Sequence, residues 1–191
     1  LIQRLVDSFG PVVMAAFAAA VKIDAFAYLP VQDFGNAFST FSAQNYGAGQ
    51  PDRLRQGLRQ ATAVSAAFSC AVAALVVVFA RPLMGLFVQA GDTEVIACGV
   101  RYLRIEGTFY AGIGCLFLLY GFYRAVQRPG MSVVLTVVSL GTRVALAYAL
   151  AGPVGEVGIW AAIPIGWFLA DAAGYGYYLR HRKALLTPRA Q

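Results

Sequence analysis

The sequence predicts an all-α protein, a polytopic membrane helix bundle with five complete transmembrane helices and the end of a sixth. Three observations carry this. Apolar residues make up 59% of the 191 residues and charged ones only 13%, against about a quarter charged in an ordinary soluble domain, and mean hydropathy is +0.65. The apolar residues fall in blocks long enough to cross a hydrocarbon core of about 30 Å, such as the uncharged run Ala61 to Ala80. Between the blocks, Lys and Arg gather on alternate connectors.

Taken in order, Leu1 to Phe9 is a short amphipathic stub closed by Gly10-Pro11, a pair that stops one helix and opens the next. The chain begins without an initiator Met, a basic leader or a small-residue cleavage site, and so reads as the tail of a cut helix. Val12 to Tyr46 is a long helix ended by the Gly47-Ala48-Gly49-Gln50-Pro51 breaker. At roughly 50 Å it exceeds the hydrocarbon core and must tilt, bend near Pro30 or protrude. The polar stretch Pro51 to Gln60 leads into Ala61 to Ala80, the cleanest span. Arg81 to Glu94 is a connector whose middle, Leu83 to Val88, is expected to lie in the interface as a short helix. Val95 to Tyr123 reads as one helix entering the membrane near Tyr102. A basic turn with Pro129-Gly130 precedes the span Met131 to Ala151, and a Gly/Pro turn carrying Glu156 precedes Ile159 to Leu179. Residues 1–182 form one helical lobe, and 183–191 a basic tail.

The connectors vote on sidedness. Arg53, Arg55, Arg59, Arg124, Arg128, Arg180, Arg182, Lys183 and Arg189 fall on one side, nine in all, against Arg81, Arg101 and Arg104 on the other. The positive-inside rule makes the nine-residue side cytoplasmic, with the C-terminus, and puts Asp92, Glu94 and Glu156 outside. The surplus of cations is thereby explained by topology rather than by nucleic acid, which would need a basic face. Membrane lipid is the expected partner. Cys70, Cys98 and Cys115 stand singly inside apolar stretches, without the spacing of a disulfide framework or zinc site. There is no GxxxxGK[ST] loop, HExxH or GxSxG, and the one His, His181, lies in the basic tail. These absences point away from an enzyme or an ATP-driven pump, and no cofactor is called for.

Ionisable groups inside spans are costly and therefore informative. Arg143 and Asp171 are the deepest, about 18 Å and about 12 Å from the cytoplasmic ends of their helices, close enough for an Arg to bridge them if the helices adjoin. Gln32, Asp33 and Asn36 follow Pro30 at i, i+1 and i+4 and suggest a cavity wall. Lys22 and Asp24, on the outer half of the long helix, are expected to pair locally or to face external water. Glu106 is expected to pair with Arg101 or Arg104 at the outer mouth. Abundant small residues, among them Gly107, Gly112, Gly114 and Gly174, read as packing surface between helices.

The order of features resembles the C-terminal half of MATE (multidrug and toxic compound extrusion) transporters. The resemblance is carried by Leu29-Pro30, Ser39-Thr40-Phe41 and Gln44-Asn45-Tyr46-Gly47-Ala48-Gly49-Gln50, closing the family's eighth helix. It continues in Arg101-Tyr102-Leu103-Arg104-Ile105 and Gly121 to Arg124 of the tenth, Arg143 with Ala147-Tyr148 of the eleventh, and Gly155 to Trp160 opening the twelfth. It implies one lobe of a twelve-helix transporter, partnered by an N-terminal lobe of the same protein. It further implies export of amphipathic or cationic compounds in antiport with H⁺ or Na⁺, with a flippase for lipid-linked precursors or polysaccharide as the alternative in the same superfamily. The run Gly107 to Tyr123 lacks the acid that some members carry midway along the tenth helix. Coupling carboxylates are thus expected chiefly in the other lobe, with Asp33 and Asp171 the local candidates.

Overall fold

The computed structural model describes residues 2–187, all in helices and short connections. In chain order these are α1 (Ile2–Asp7), α2 (Pro11–Gly47), α3 (Pro51–Val78), α4 (Ala80–Gly85), α5 (Thr93–Gly107), α6 (Tyr110–Ala125), α7 (Pro129–Val154) and α8 (Glu156–Leu186). Proline opens three of them, Pro11, Pro51 and Pro129, where its missing N–H removes no helical hydrogen bond and its fixed φ suits the first turn. Gly155, at φ 70°, makes the reversal between α7 and α8, a conformation that costs glycine little.

Four helices, α2, α3, α7 and α8, are each long and apolar enough to cross a membrane, and α5 with α6 makes a fifth, broken span. The expected single helix Val95 to Tyr123 is therefore corrected: it bends by 53° between Gly107 and Tyr110. Gly107 weakens the helix, and the Thr108 hydroxyl donates back to the Arg104 carbonyl at 2.6 Å, a bond that loosens and bends helices. Tyr110 then turns into the protein core. The polar stretch from Pro51 is helical and belongs to α3, and the connector's short helix lies at Ala80–Gly85 rather than at Leu83 to Val88. Pro30 is accommodated within α2, which stays one helix of 37 residues. The described part of the basic tail continues α8 to Leu186, and Arg189 lies outside the described residues.

Helix α6 is central, packed against α2, α3, α7 and α8, while α7 and α8 form the most extensive pair. The outer surface is apolar: Phe26, Val78, Val133, Val137 and Leu179 are each more than 60% exposed, which is the dress of lipid-facing side chains. One ion pair, Arg101 Nη2 to Glu156 Oε1 at 3.1 Å, links α5 to the start of α8. It brings together two residues that the charge segregation assigned to one end of the bundle.

Close approach is set by glycines the small-residue reading passed over. A Cβ on Gly121 would lie 2.5 Å from the Gly35 carbonyl oxygen, and one on Gly166 would lie 2.6 Å from the Ser139 carbonyl oxygen. The α2–α6 and α7–α8 crossings thus bring backbone against backbone, the arrangement that substitutes in a bilayer for the missing hydrophobic drive. Gly176, by contrast, has open space around it. Replacing Gly121 by Ala is expected to cost about 1–3 kcal/mol by overpacking, seen as a lowered thermal midpoint of the intact transporter in detergent; Gly176→Ala is expected to leave the midpoint unchanged.

Candidate functional site

A helix places residues four apart on one face. In α2 this aligns Asp24 with Tyr28, and in α5 it aligns Tyr102 with Glu106; the next step of four crosses the break to Tyr110 at the head of α6. The two rows meet in the interior. Tyr102 Oη donates to Asp24 Oδ2 at 2.8 Å, Tyr110 Oη donates to Asp24 Oδ1, and Tyr28 Oη donates to Glu106 Oε1 at 2.8 Å. Asp24 and Glu106 are each 2% exposed, and their carboxyls lie close enough to act on one another electrostatically. Aromatic rings close the surroundings: Tyr28 is edge-on to Tyr110 and Trp167, and Tyr102 to Phe17 and Trp160.

The electrostatics of such a pair are restrictive. A hydrogen bond to a charged acceptor contributes about 1.5–3 kcal/mol, so three phenol donors can offset the burial of one carboxylate. A second charge beside the first adds repulsion of about 4 kcal/mol at a separation of about 4 Å and an effective dielectric near 20. No Lys or Arg forms an ion pair with either carboxyl among the described residues. The pair therefore carries at most one negative charge unless a proton or cation enters between the two groups. The three tyrosines present hydrogens, not lone pairs, to three of the four carboxyl oxygens, and the fourth, Glu106 Oε2, takes no hydrogen bond from them. That donor set suits a shared proton better than a metal ion, whose shell would need those oxygens free.

Two expectations are corrected here. Glu106 does not join Arg101 or Arg104 at the outer mouth, because positions 102, 103 and 106 form the buried face of α5 while 101 and 104 are exposed; Arg101 pairs with Glu156 instead. Asp24 does not face water or pair with Lys22, which lies on the opposite, exposed side of α2.

Beyond Pro30 the same helix turns a polar face outward. Gln32, Asp33 and Asn36 are all exposed, and Gln32 with Asn36 lines a groove of about 330 Å³ between α2, α6 and the start of α7. Arg124 crosses this groove, its Nη2 donating to Asn36 Oδ1 at 3.1 Å and its Nε to the Tyr120 carbonyl at 3.3 Å. Asp33 is not among the residues that line this groove. Sequence reasoning used Arg124 as a marker of sidedness and of the family resemblance, not as a groove residue.

Arg143 and Asp171 are on adjoining helices, yet the anticipated bridge between them is absent among the described residues. Arg143 Cβ lies beside Gly166, more than a turn from Asp171 along α8. Asp171 lies instead within electrostatic reach of Cys115 of α6 and Tyr175, is 8% exposed, and leaves its Oδ1 without a hydrogen bond. All three cysteines are free thiols, with Cys98 buried.

The family model MatE matches residues 1–149. Among known proteins, the chain is 29% identical over 178 residues to the probable multidrug resistance protein YpnP of Bacillus subtilis, covering 93% of this chain and 40% of that protein. It is 28% identical over 170 residues to the FAD transporter of Shewanella oneidensis, covering 88% and 37% respectively. Among solved structures, a variant of the Vibrio cholerae MATE transporter VcmN superposes with a TM-score of 0.89 at 22% identity, over 97% of this chain and 42% of that one. A transporter of the MOP superfamily from Pyrococcus furiosus gives 0.88 at 20% identity, over 96% and 43%. The chain thus spans about two fifths of the length of these relatives. Apolar spans, a lobe fold shared with MATE structures and a family match over most of its length together establish that this chain belongs to the MATE family of multi-pass membrane transporters.

Proposed function

We propose that this lobe serves a secondary antiporter that exports amphipathic compounds in exchange for protons, with Asp24 and Glu106 as the lobe's protonatable switch. The carrying observation is two neighbouring carboxyls, each 2% exposed, held by tyrosine hydroxyls from both halves of a broken span. Sharing one proton, the pair draws α2 against α5 and α6. Loss of that proton sets two like charges side by side and favours the state in which those helices separate or the pair gains water. A proton thereby biases two conformations by its different affinity for each, as alternating access between two lobes requires.

The groove beside Gln32, Asn36 and Arg124 is our candidate for this lobe's share of the substrate surface. Relatives named for multidrug resistance support organic cations or other drugs as cargo. Arg124 supports a second reading, an amphipathic anion of the flavin-nucleotide kind, in line with the name of the Shewanella oneidensis relative. These names do not favour the lipid-linked-precursor flippase. We place the protein in the cell (inner) membrane, with the end bearing Arg55 and Arg182 in the cytoplasm on the positive-inside rule.

In vesicles holding the intact transporter, Asp24→Asn and Glu106→Gln are each expected to cut efflux driven by an imposed ΔpH at least tenfold, in the range typical of losing a positioned proton-transfer group, while equilibrium substrate binding persists. Asp33→Asn and Asp171→Asn are expected to do less. Unchanged ΔpH-driven efflux in both carboxyl-pair variants, or drive by ΔNa⁺ alone, overturns the proton-switch reading. Running the same assay with a fluorescent cation and with FAD separates the two cargo readings, the second expecting Arg124→Gln to abolish FAD movement. For sidedness, a single cysteine at position 56 is expected to react with a membrane-impermeant maleimide only after the cells are permeabilised; labelling of intact cells would reverse the orientation.

A further inference from the structure

A second pocket, of about 590 Å³, opens between the start of α3 and the end of α8, at the basic end of the bundle. Arg55 and Arg59 enter it from α3 and Arg182 from α8, against a single acid, Asp52. Among the described residues none of these three arginines is in an ion pair. Arg55 and Arg182 both lie near enough to the Tyr178 hydroxyl to act on it electrostatically, so these solvent-exposed cations line one pocket from two helices. The deep side is closed by a hydrogen bond between Thr62 Oγ1 and Tyr175 Oη at 2.9 Å.

What lies beyond the pocket is apolar. One step deeper, α3 presents Ala66 and Cys70 and α8 presents Phe168, three turns from Leu179 on the same face. Phe168 and Leu179 are 47% and 65% exposed. A ligand that fits both parts has an anionic head and a hydrocarbon tail. Cytoplasmic basic pockets between transmembrane helices are suited to acidic lipid headgroups, and guanidinium forks bind phosphate oxygens in pairs.

We propose that this pocket binds the phosphodiester of an acidic glycerophospholipid of the surrounding leaflet, its acyl chain lying along the α3–α8 groove. The site is separate from the carboxyl pair and from the Asn36–Arg124 groove, and its occupancy does not depend on the direction or cargo of transport. Bound lipid would tie α3 to α8, two helices that otherwise touch sparingly.

The test is a titration of the intact transporter in neutral detergent with acyl-labelled fluorescent phosphatidylglycerol and, separately, acyl-labelled phosphatidylcholine. The triple substitution Arg55→Gln, Arg59→Gln, Arg182→Gln is expected to weaken phosphatidylglycerol binding about a hundredfold, roughly fivefold for each charge, and to leave phosphatidylcholine unaffected. Arg81→Gln with Arg104→Gln, at the other end, should change neither. The matching Arg→Lys triple, which keeps charge and bulk, should retain a preference for phosphatidylglycerol that fades as salt rises; this arm decides the matter if the Gln variant does not fold. Equal binding of the two lipids by the unaltered protein overturns the proposal, as does a Gln triple that folds and binds phosphatidylglycerol normally. Displacement of phosphatidylglycerol by inorganic phosphate at equal concentration would mean a free-anion site and would also overturn it.

Discussion

Two buried carboxyl groups side by side in a bundle of apolar spans are hard to accommodate, and the interior where α2, α5 and α6 meet is organised around Asp24 and Glu106. Neither is met by a Lys or Arg among the described residues, so the compensation comes from neutral donors. Three tyrosines supply it, one from each of the helices that converge there: Tyr28 on α2, Tyr102 on α5 and Tyr110 on α6. The break between α5 and α6 follows from the same requirement in part. By resuming as a new helix at Tyr110, the chain turns that hydroxyl toward Asp24 just where the span bends by 53°. The indoles of Trp160 and Trp167 then fill the space around the tyrosine rings, which ties the centre of α8 to the pair.

The remainder of the lobe is built for rigidity around that centre. Gly121 against Gly35 and Gly166 against Ser139 bring helix backbones into direct contact, so forces at the carboxyl pair act on helices that move as bodies rather than on soft side-chain layers. Helix α2 links the interior to the surface. Its first half carries Asp24 and Tyr28 inward, and its second half, past Pro30, carries Gln32 and Asn36 into the groove shared with Arg124. A change in the packing of α2 at one position would therefore be felt at the other, a few turns away on the same rod.

The sequence disclosed the lobe more readily than its chemistry. Spans were visible because hydrocarbon thickness fixes their length, and the Arg101–Glu156 bridge joins two residues that charge segregation had assigned to one end of the bundle. Three features were hidden for definable reasons. The break in the fifth span depends on Gly107 and the back-bonding of Thr108, while hydropathy continues through it unchanged. Glu106 was matched with arginines two and five positions away, when helical rotation turns it from both and toward a helix more than 70 residues distant in sequence. The spacing of four shared by Asp24–Tyr28 and Tyr102–Glu106–Tyr110 was the available clue, since an acid aligned with phenols suggests a carboxyl that is buried and satisfied. Arg143 and Asp171 do lie on adjoining helices, the condition set for a bridge, but depth alone could not show that no ion pair forms between them. Gly35 and Gly121, lying in different apolar stretches, gave no sign of meeting.

The carboxyl pair is the point on which the account turns, and its protonation is directly observable. Infrared spectroscopy of the intact transporter, comparing the unaltered protein with Glu106→Gln and Asp24→Asn near neutral pH, should reveal the carbonyl stretch of a buried protonated carboxyl. The account predicts that this band is present in the unaltered protein and is lost or shifted in both variants. A spectrum without that band, or one that the two substitutions leave untouched, would contradict a proton shared between Asp24 and Glu106.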